Sequence, residues 1–198
     1  PAAWLRLSLK PGQKFGIDPW LHGIDARARL EAAVQDAGAE TVLVTKNPVD
    51  AVWTGRPAEP TDAAVIQPDA LAGKSSAAKR AELAAALVEA KEDAAVIAAT
   101  DSIAWLLNIR GHDVAFNPIV LARVILHADG RVDLFAAPGK FPPALAAHLG
   151  NAVSVEPPEA LPGAIKALAG KRVRLDPDRT PSWFADALKG AGAGIVSA

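Results

Sequence analysis

The densest polar run of the chain, "NIRGHDVAFNP" at positions 108–118, lies between two apolar stretches. Asn108, Arg110, His112, Asp113 and Asn117 fall within ten residues. Amides, a guanidinium, an imidazole and a carboxylate so closely spaced could serve the active site of a small enzyme. Part of this polarity follows from backbone chemistry. Asn108 and Gly111 suit the left-handed conformation that ends a helix. Asn117-Pro118 initiates a turn, with Pro118 pushing Asn117 toward an extended backbone. Arg110, His112 and Asp113 need another reason. Either an Arg110–Asp113 pair closes the loop on itself, or these residues meet a ligand or another domain.

No other constellation completes a catalytic site. The four histidines, His22, His112, His127 and His148, form neither an HExxH nor an HxH pair, so zinc-ligand spacing is missing. His127 and His148 read as ordinary surface or edge histidines. There is no GxSxG elbow, no Walker loop and no GxGxxG between a strand and a helix. "GAGAG" at Gly190–Gly194 follows a helix and precedes a strand, so its glycines end the helix. Asp176 and Asp178, flanking Pro177 just after a strand, could ligate a cation, but a turn and a helix start near Pro181 is the favoured reading. The five tryptophans share no helical face and read mostly as packing residues. The sequence alone therefore offers neither a catalytic residue set nor a metal site.

Composition narrows the classes further. Hydrophobic residues make up 51% and charged residues 22%, enough apolar content for a packed core. With a formal net charge of -1 there is no basic footprint for nucleic acid. No apolar run reaches the ~18 residues of a membrane span, and no signal-peptide pattern opens the chain. Nucleic-acid and membrane partners are thus not expected. Cysteine is missing, which excludes disulfides and thiolate chemistry and fits a reducing cytoplasm. Methionine is also missing, which suggests a piece of a longer polypeptide.

The elements that must position the polar loop are legible. "WLRLSLKPGQKFGID" opens with a partly alternating apolar pattern, a Pro-Gly turn and a strand at Lys14–Ile17. Asp25 is a candidate cap for a helix to about Asp36, with Leu30, Ala33, Val34 and Ala37 on one face. "ETVLVTK" is the next strand, completing a strand–helix–strand unit. Asn47 to Gly73, rich in Pro, Asp and Ala, reads as a connector. A strong helix follows at "SSAAKRAELAAALVEAKE", capped by Ser75 or Ser76, with Leu83, Leu87 and Ala90 as its buried stripe. Then come the strand "DAAVIAAT", a helix "DSIAWLLN" capped by Thr100 or Asp101, and two strands joined at Asp129-Gly130, a hairpin signal. Helix and strand then alternate: a helix from Pro142, "AVSVEP", a helix from Glu159 to Ala169, "RVRLDP", a helix from Ser182 and "GIVSA". This is an α/β chain with a mixed sheet flanked by helices, preceded by a partial strand–helix–strand unit.

The polar loop also carries a likeness. "WLLNIRGHDVAFNPIVLARVIL" resembles the W-L-x-N-x-R-G-x-D-V-x-x-N-P-V stretch of three-domain Xaa-Pro aminopeptidases, a creatinase/prolidase-type family. Trp105, Leu106, Asn108, Arg110, Gly111, Asp113, Val114, Asn117 and Pro118 match. "FGIDPWLH" is similar to that family's G-x-D-P-x-L. "NPVDAVWTGRPAEP" is similar to its N-L-V-D-x-I-W-x-x-R-P-x-x-P, through Asn47, Val49, Asp50, Trp53, Arg56, Pro57 and Pro60. The three matches keep the family's order. His112 departs from it, standing where a small residue such as serine is common.

The resemblance implies creatinase N-terminal-type folds: residues 1–73 as the end of a first such domain plus connector, and 74–198 as the whole middle domain. It implies a parent metallopeptidase that removes the N-terminal residue from peptides with proline second. In that parent, two aspartates, a histidine and two glutamates on a catalytic pita-bread domain hold two divalent metals, usually manganese. None of those ligands can be placed in this chain, so it is expected to be non-catalytic, to carry no cofactor and to shape the substrate cleft. Its expected partners are the catalytic domain, the peptide substrate and, through a homodimer, a second copy. Arg110 and Asp113 are then expected to face the cleft, with Asn108 and Asn117 fixing the loop and His112 beside them. The alternative is a stand-alone binding or assembly module of creatinase-type fold without peptidase activity.

Overall fold

A computed structural model describes residues 1–198. The chain divides into two compact units, residues 1–58 with 177–186 and residues 59–176 with 187–198.

In the first unit the partly alternating opening segment forms helix α1 (Ala2–Ser8). Only Leu5 of that helix is buried; it packs with Ala33 and Val34, and Leu30 and Phe15 close over them. Strand β1 (Lys14–Ile17), helix α2 (Ile24–Asp36) and strand β2 (Glu40–Leu43) follow as expected, and β1 pairs parallel with β2 from Lys14↔Glu40 to Ile17↔Leu43. The residue at the α2 cap is Gly23, not Asp25. A Cβ on Gly23 would lie 2.5 Å from the Asp178 carbonyl oxygen, so the close backbone approach there requires glycine. Part of the expected connector is helical: α3 (Pro48–Val52) is capped by Asn47, whose Oδ1 accepts from Val49 N at 2.9 Å and whose Nδ2 donates to Asp18 at 2.9 Å. Trp20 and Trp183 stack at 4.4 Å, with Phe184 edge-on to both.

The second unit holds strands β3 (Val65–Ile66), β4 (Ala94–Ile97), β5 (Ile109–Arg110), β6 (Ala122–His127), β7 (Val132–Ala136), β8 (Val153–Glu156), β9 (Arg172–Leu175) and β10 (Gly194–Ser197). Its helices are α4 (Asp69–Ala72), α5 (Ser76–Glu89), α6 (Thr100–Leu107), α7 (Pro143–Leu149) and α8 (Leu161–Lys166); α9 (Ser182–Ala191) contributes its last turns. Residues 59–73 belong here rather than to a free connector, because Ala64 is buried in this core and β3 pairs antiparallel with β5.

The main sheet has the order β10-β9-β4-β6-β7-β8. It is mixed, since β4, β6 and β7 run antiparallel while β4 pairs β9, β9 pairs β10 and β7 pairs β8 in parallel. The β6–β7 hairpin turns through Ala128, Asp129 and Gly130. Gly130 takes φ 84°, and Asp129 Oδ1 accepts from Arg131 N at 3.0 Å. On one sheet face Val124, Leu126, Val132 and Leu134 are at most 1% exposed; Leu87 of α5, Ile103, Leu106 and Leu107 of α6, and Leu145 and Leu149 of α7 cover them. Each such side chain contributes about 1.5–3 kcal/mol of burial, so this face anchors the segments on either side of the polar loop.

Several local details differ from the sequence reading. Ser75 caps α5 as expected, its Oγ accepting from Ala78 N at 3.2 Å. The buried positions of α5, however, include Ser76, Lys79 and Arg80 beside Ala84 and Leu87. Ala99 stands at the cap of α6, leaving Thr100 inside the helix, and Asp101 accepts from Ser102 N at 2.8 Å. The helix expected from Glu159 to Ala169 is a 3-10 turn, Pro158–Ala160, followed by α8; Pro162 lies in the first turn of α8, where its lost N–H costs least. His127 and His148 are half-buried and bonded rather than plain surface residues. Nε2 of His127 lies 2.8 Å from Asp133, and Nε2 of His148 lies 3.2 Å from the Leu107 carbonyl.

Candidate functional site

The loop begins where α6 ends. Asn108 takes φ 51° and ψ 50°, the left-handed conformation its side chain tolerates. That side chain is 1% exposed and spans three partners. Nδ2 donates to Asp69 Oδ1 and to the Lys74 carbonyl, both at 2.8 Å, while Oδ1 accepts from Lys79 Nζ at 2.7 Å. Lys79, buried on α5, also donates to the Trp105 carbonyl at 2.8 Å and holds its ammonium 4.5 Å from the Trp105 ring centroid. Burial lowers the Lys79 pKa, the nearby Arg110 charge lowers it further, and Asp69 opposes the shift. One asparagine thus ties α4, α5 and α6 to the first residue of the loop.

A second anchor holds the middle. Asp113 Oδ1 accepts from Lys140 Nζ at 2.5 Å, and Asp113 Oδ2 accepts from Leu121 N at 2.6 Å. The Lys140 carbonyl accepts from Ala64 N at 2.9 Å, so the same residue also fixes the segment before β3. The Arg110–Asp113 pair considered from sequence is not formed. Asp113 pairs with Lys140, and Arg110 Nη1 instead donates to the carbonyls of Ala104 at 3.1 Å and Ile109 at 2.8 Å.

Between the anchors the chain bulges outward. Gly111 is needed for close approach, not for a left-handed backbone: a Cβ there would lie 2.5 Å from the Ile119 carbonyl oxygen. Val114 and Asn117 form an isolated bridge, and Asn117 N donates to the Val114 carbonyl at 3.1 Å. Phe116 stands at the tip with φ 61°, fully exposed. His112, Val114, Phe116 and Asn117 line an open concavity of 330 Å³. The structure therefore separates the sequence candidates. Asn108 and Asp113 lie inside, Arg110 is half-buried, and His112 and Asn117 face outward.

Sequence reasoning missed Lys79, Lys140 and Asp69. The signal for Lys79 was available, since it falls on the face of α5 that carries Leu83 and Leu87, and a lysine there demands a buried acceptor. Nothing local marks Lys140, whose partner lies 27 residues away. No group of three or more His, Cys, Asp or Glu side chains converges as a metal site. The residues present do not fit a dinuclear metal centre.

The loop, its anchors and the mixed sheet define a class. Residues 55–197 match the creatinase/prolidase N-terminal domain, and the chain belongs to that family. Its relatives are specific. A probable Xaa-Pro aminopeptidase P of Coccidioides posadasii is 34% identical over 167 residues, covering 84% of this chain and 27% of the relative. A protein of the same description from Neosartorya fischeri is 34% identical over 182 residues, covering 91% and 28%. The crystal structure of X-prolyl aminopeptidase from Caenorhabditis elegans, described as a cytosolic enzyme with a di-nuclear active site, superposes over 100% of this chain and 33% of its own. The TM-score is 0.88 at 26% identity. The chain spans little more than a quarter of the length of these curated relatives.

Proposed function

We propose that the chain is a non-catalytic segment of a metal-dependent Xaa-Pro aminopeptidase, an enzyme that removes the N-terminal residue from peptides with proline second. The observation that carries this reading is the superposition of the whole chain on one third of an X-prolyl aminopeptidase. Bond cleavage, with the Lewis-acid chemistry that two divalent metals would supply, belongs to the catalytic pita-bread domain of the same polypeptide, with manganese the metal by family resemblance. No residue of this chain is assigned a step in it. The chain's task is to shape the substrate cleft and support assembly, including a homodimer, in the cytoplasm.

In this reading the 108–118 loop faces the catalytic domain. His112, Phe116 and Asn117 form its contact surface, Arg110 stiffens the approach, and Asn108 and Asp113 hold it from within. In a polypeptide that carries the catalytic domain, Arg110→Ala lowers kcat/KM for a Xaa-Pro peptide by about tenfold or more through lost positioning. Unchanged activity and stability would refute the loop's role. The 198-residue chain on its own shows no manganese-dependent cleavage of Xaa-Pro peptides, and robust cleavage would overturn the non-catalytic assignment. The alternative, a stand-alone binding module, is tested by the reading frame after Ala198: metal-ligand codons support the peptidase, and a stop codon supports the module.

A further inference from the structure

A second feature of the middle unit is unrelated to the loop. Arg80 on α5 is 8% exposed, yet no carboxylate pairs with it. Its Nη1 donates to the Gly130 carbonyl at 3.1 Å, and its buried Nε has no partner. Ser76 Oγ, one turn earlier on the same ridge, is also buried without a partner. Arg174 holds Glu92 through two bonds and Arg131 holds Asp129, whereas Arg110 and Arg123, like Arg80, reach backbone carbonyls; of these three only Arg80 lines the groove along α5. A desolvated guanidinium without an anion is costly, and burial alone lowers its pKa.

Arg80 opens onto a groove of 730 Å³ between α5 and the β6–β7 turn, floored by Ala77, Ala81, Ala85, Val88 and Ala152. This floor is apolar and, along α5, solvent-exposed. We propose that the groove binds a small monocarboxylate with a compact aliphatic body, its carboxylate on Arg80 and its methyl groups on the alanine floor. The other charges of the groove select one negative charge over several. Asp129 is neutralised by Arg131, but Glu89 is free at the far end, about 13 Å along the helix axis at 1.5 Å per residue. A dianion such as phosphate would gain nothing from the floor and meet this repulsion.

The test is titration of the full chain with 4-methylpentanoate, 4-methylpentanamide and inorganic phosphate, followed by amide chemical shifts of α5 and Gly130. The acid should bind saturably, at least about tenfold more tightly than its neutral amide or phosphate. Arg80→Gln should remove most of that preference. Ala81→Leu, which keeps Arg80 and fills the floor at an exposed helical site, should weaken the acid about tenfold as well, and it carries the test if Arg80→Gln does not fold. Equal binding of acid and amide, tighter binding of phosphate, unchanged binding in Ala81→Leu, or no saturable shifts would each overturn the proposal.

Discussion

Asp113 and Lys140 meet at 2.5 Å with both side chains 1% exposed, so an ion pair is sealed beneath a loop whose tip is open to solvent. A buried pair of this kind is weak evidence of net stabilisation, but removing one partner leaves the other charge stranded. Asp113→Ala or Lys140→Met is therefore expected to cost about 3–5 kcal/mol, read by urea denaturation followed by circular dichroism. The double variant Asp113→Leu with Lys140→Met should recover a large part of that loss. A double variant as unstable as the worse single one would mean that the pair acts through packing rather than charge.

Asn108 combines a left-handed backbone with three side-chain bonds, and the two contributions separate by substitution. Asn108→Gly keeps the backbone and loses the bonds, leaving the buried Lys79 ammonium with the Trp105 carbonyl alone as acceptor, at a cost of about 2–3 kcal/mol. Asn108→Ala adds about 1 kcal/mol of backbone strain. Equal stabilities of the two variants would show that the conformation contributes nothing.

Gly111→Ala places a Cβ against the Ile119 carbonyl, where neither backbone segment can yield by side-chain rotation. The expected outcome is a loss of about 1–3 kcal/mol with faster hydrogen exchange across residues 112–118. Unaltered exchange there would show that the loop tolerates the wider spacing.

Glu92 is buried and held below its ordinary value of 4.5 chiefly by its hydrogen bonds to Arg174, against the opposing effect of burial. A carboxyl with a depressed native pKa binds fewer protons folded than unfolded, so its stabilisation is complete above its unfolded pKa and lost as pH falls through its native one. Glu92→Gln should lower stability at neutral pH and flatten the decline below pH 4.5, where Asp93 and Asp129 leave a residual slope because their pKa values are also depressed. An unchanged acid limb would remove Glu92 from this account.

The order of elements was legible wherever local rules decide it. The period-2 strands, the Ala-rich α5 with Ser75 at its cap and the Asp129-Gly130 turn all depend on neighbours in sequence. The partly alternating start assigned no element by itself, and in α1 it buries one residue, Leu5, leaving Trp4 and Leu7 outside. The pairing of β3 inside residues 59–73 was not legible, because two residues are too short to show a period and their pairing partner lies more than 40 residues on.

For the polar loop, residue type and spacing by themselves determined that "NIRGHDVAFNP" ends a helix, turns at Asn117-Pro118 and exceeds the polarity that turns require. Only the tertiary structure decided which side chains hold the loop and which face out. Asp113 took Lys140 rather than Arg110, and Asn108 took Lys79 and Asp69. The physical reason is that a buried polar or charged group is stabilised by whichever partner folding brings to it, and sequence distance carries no information about that meeting.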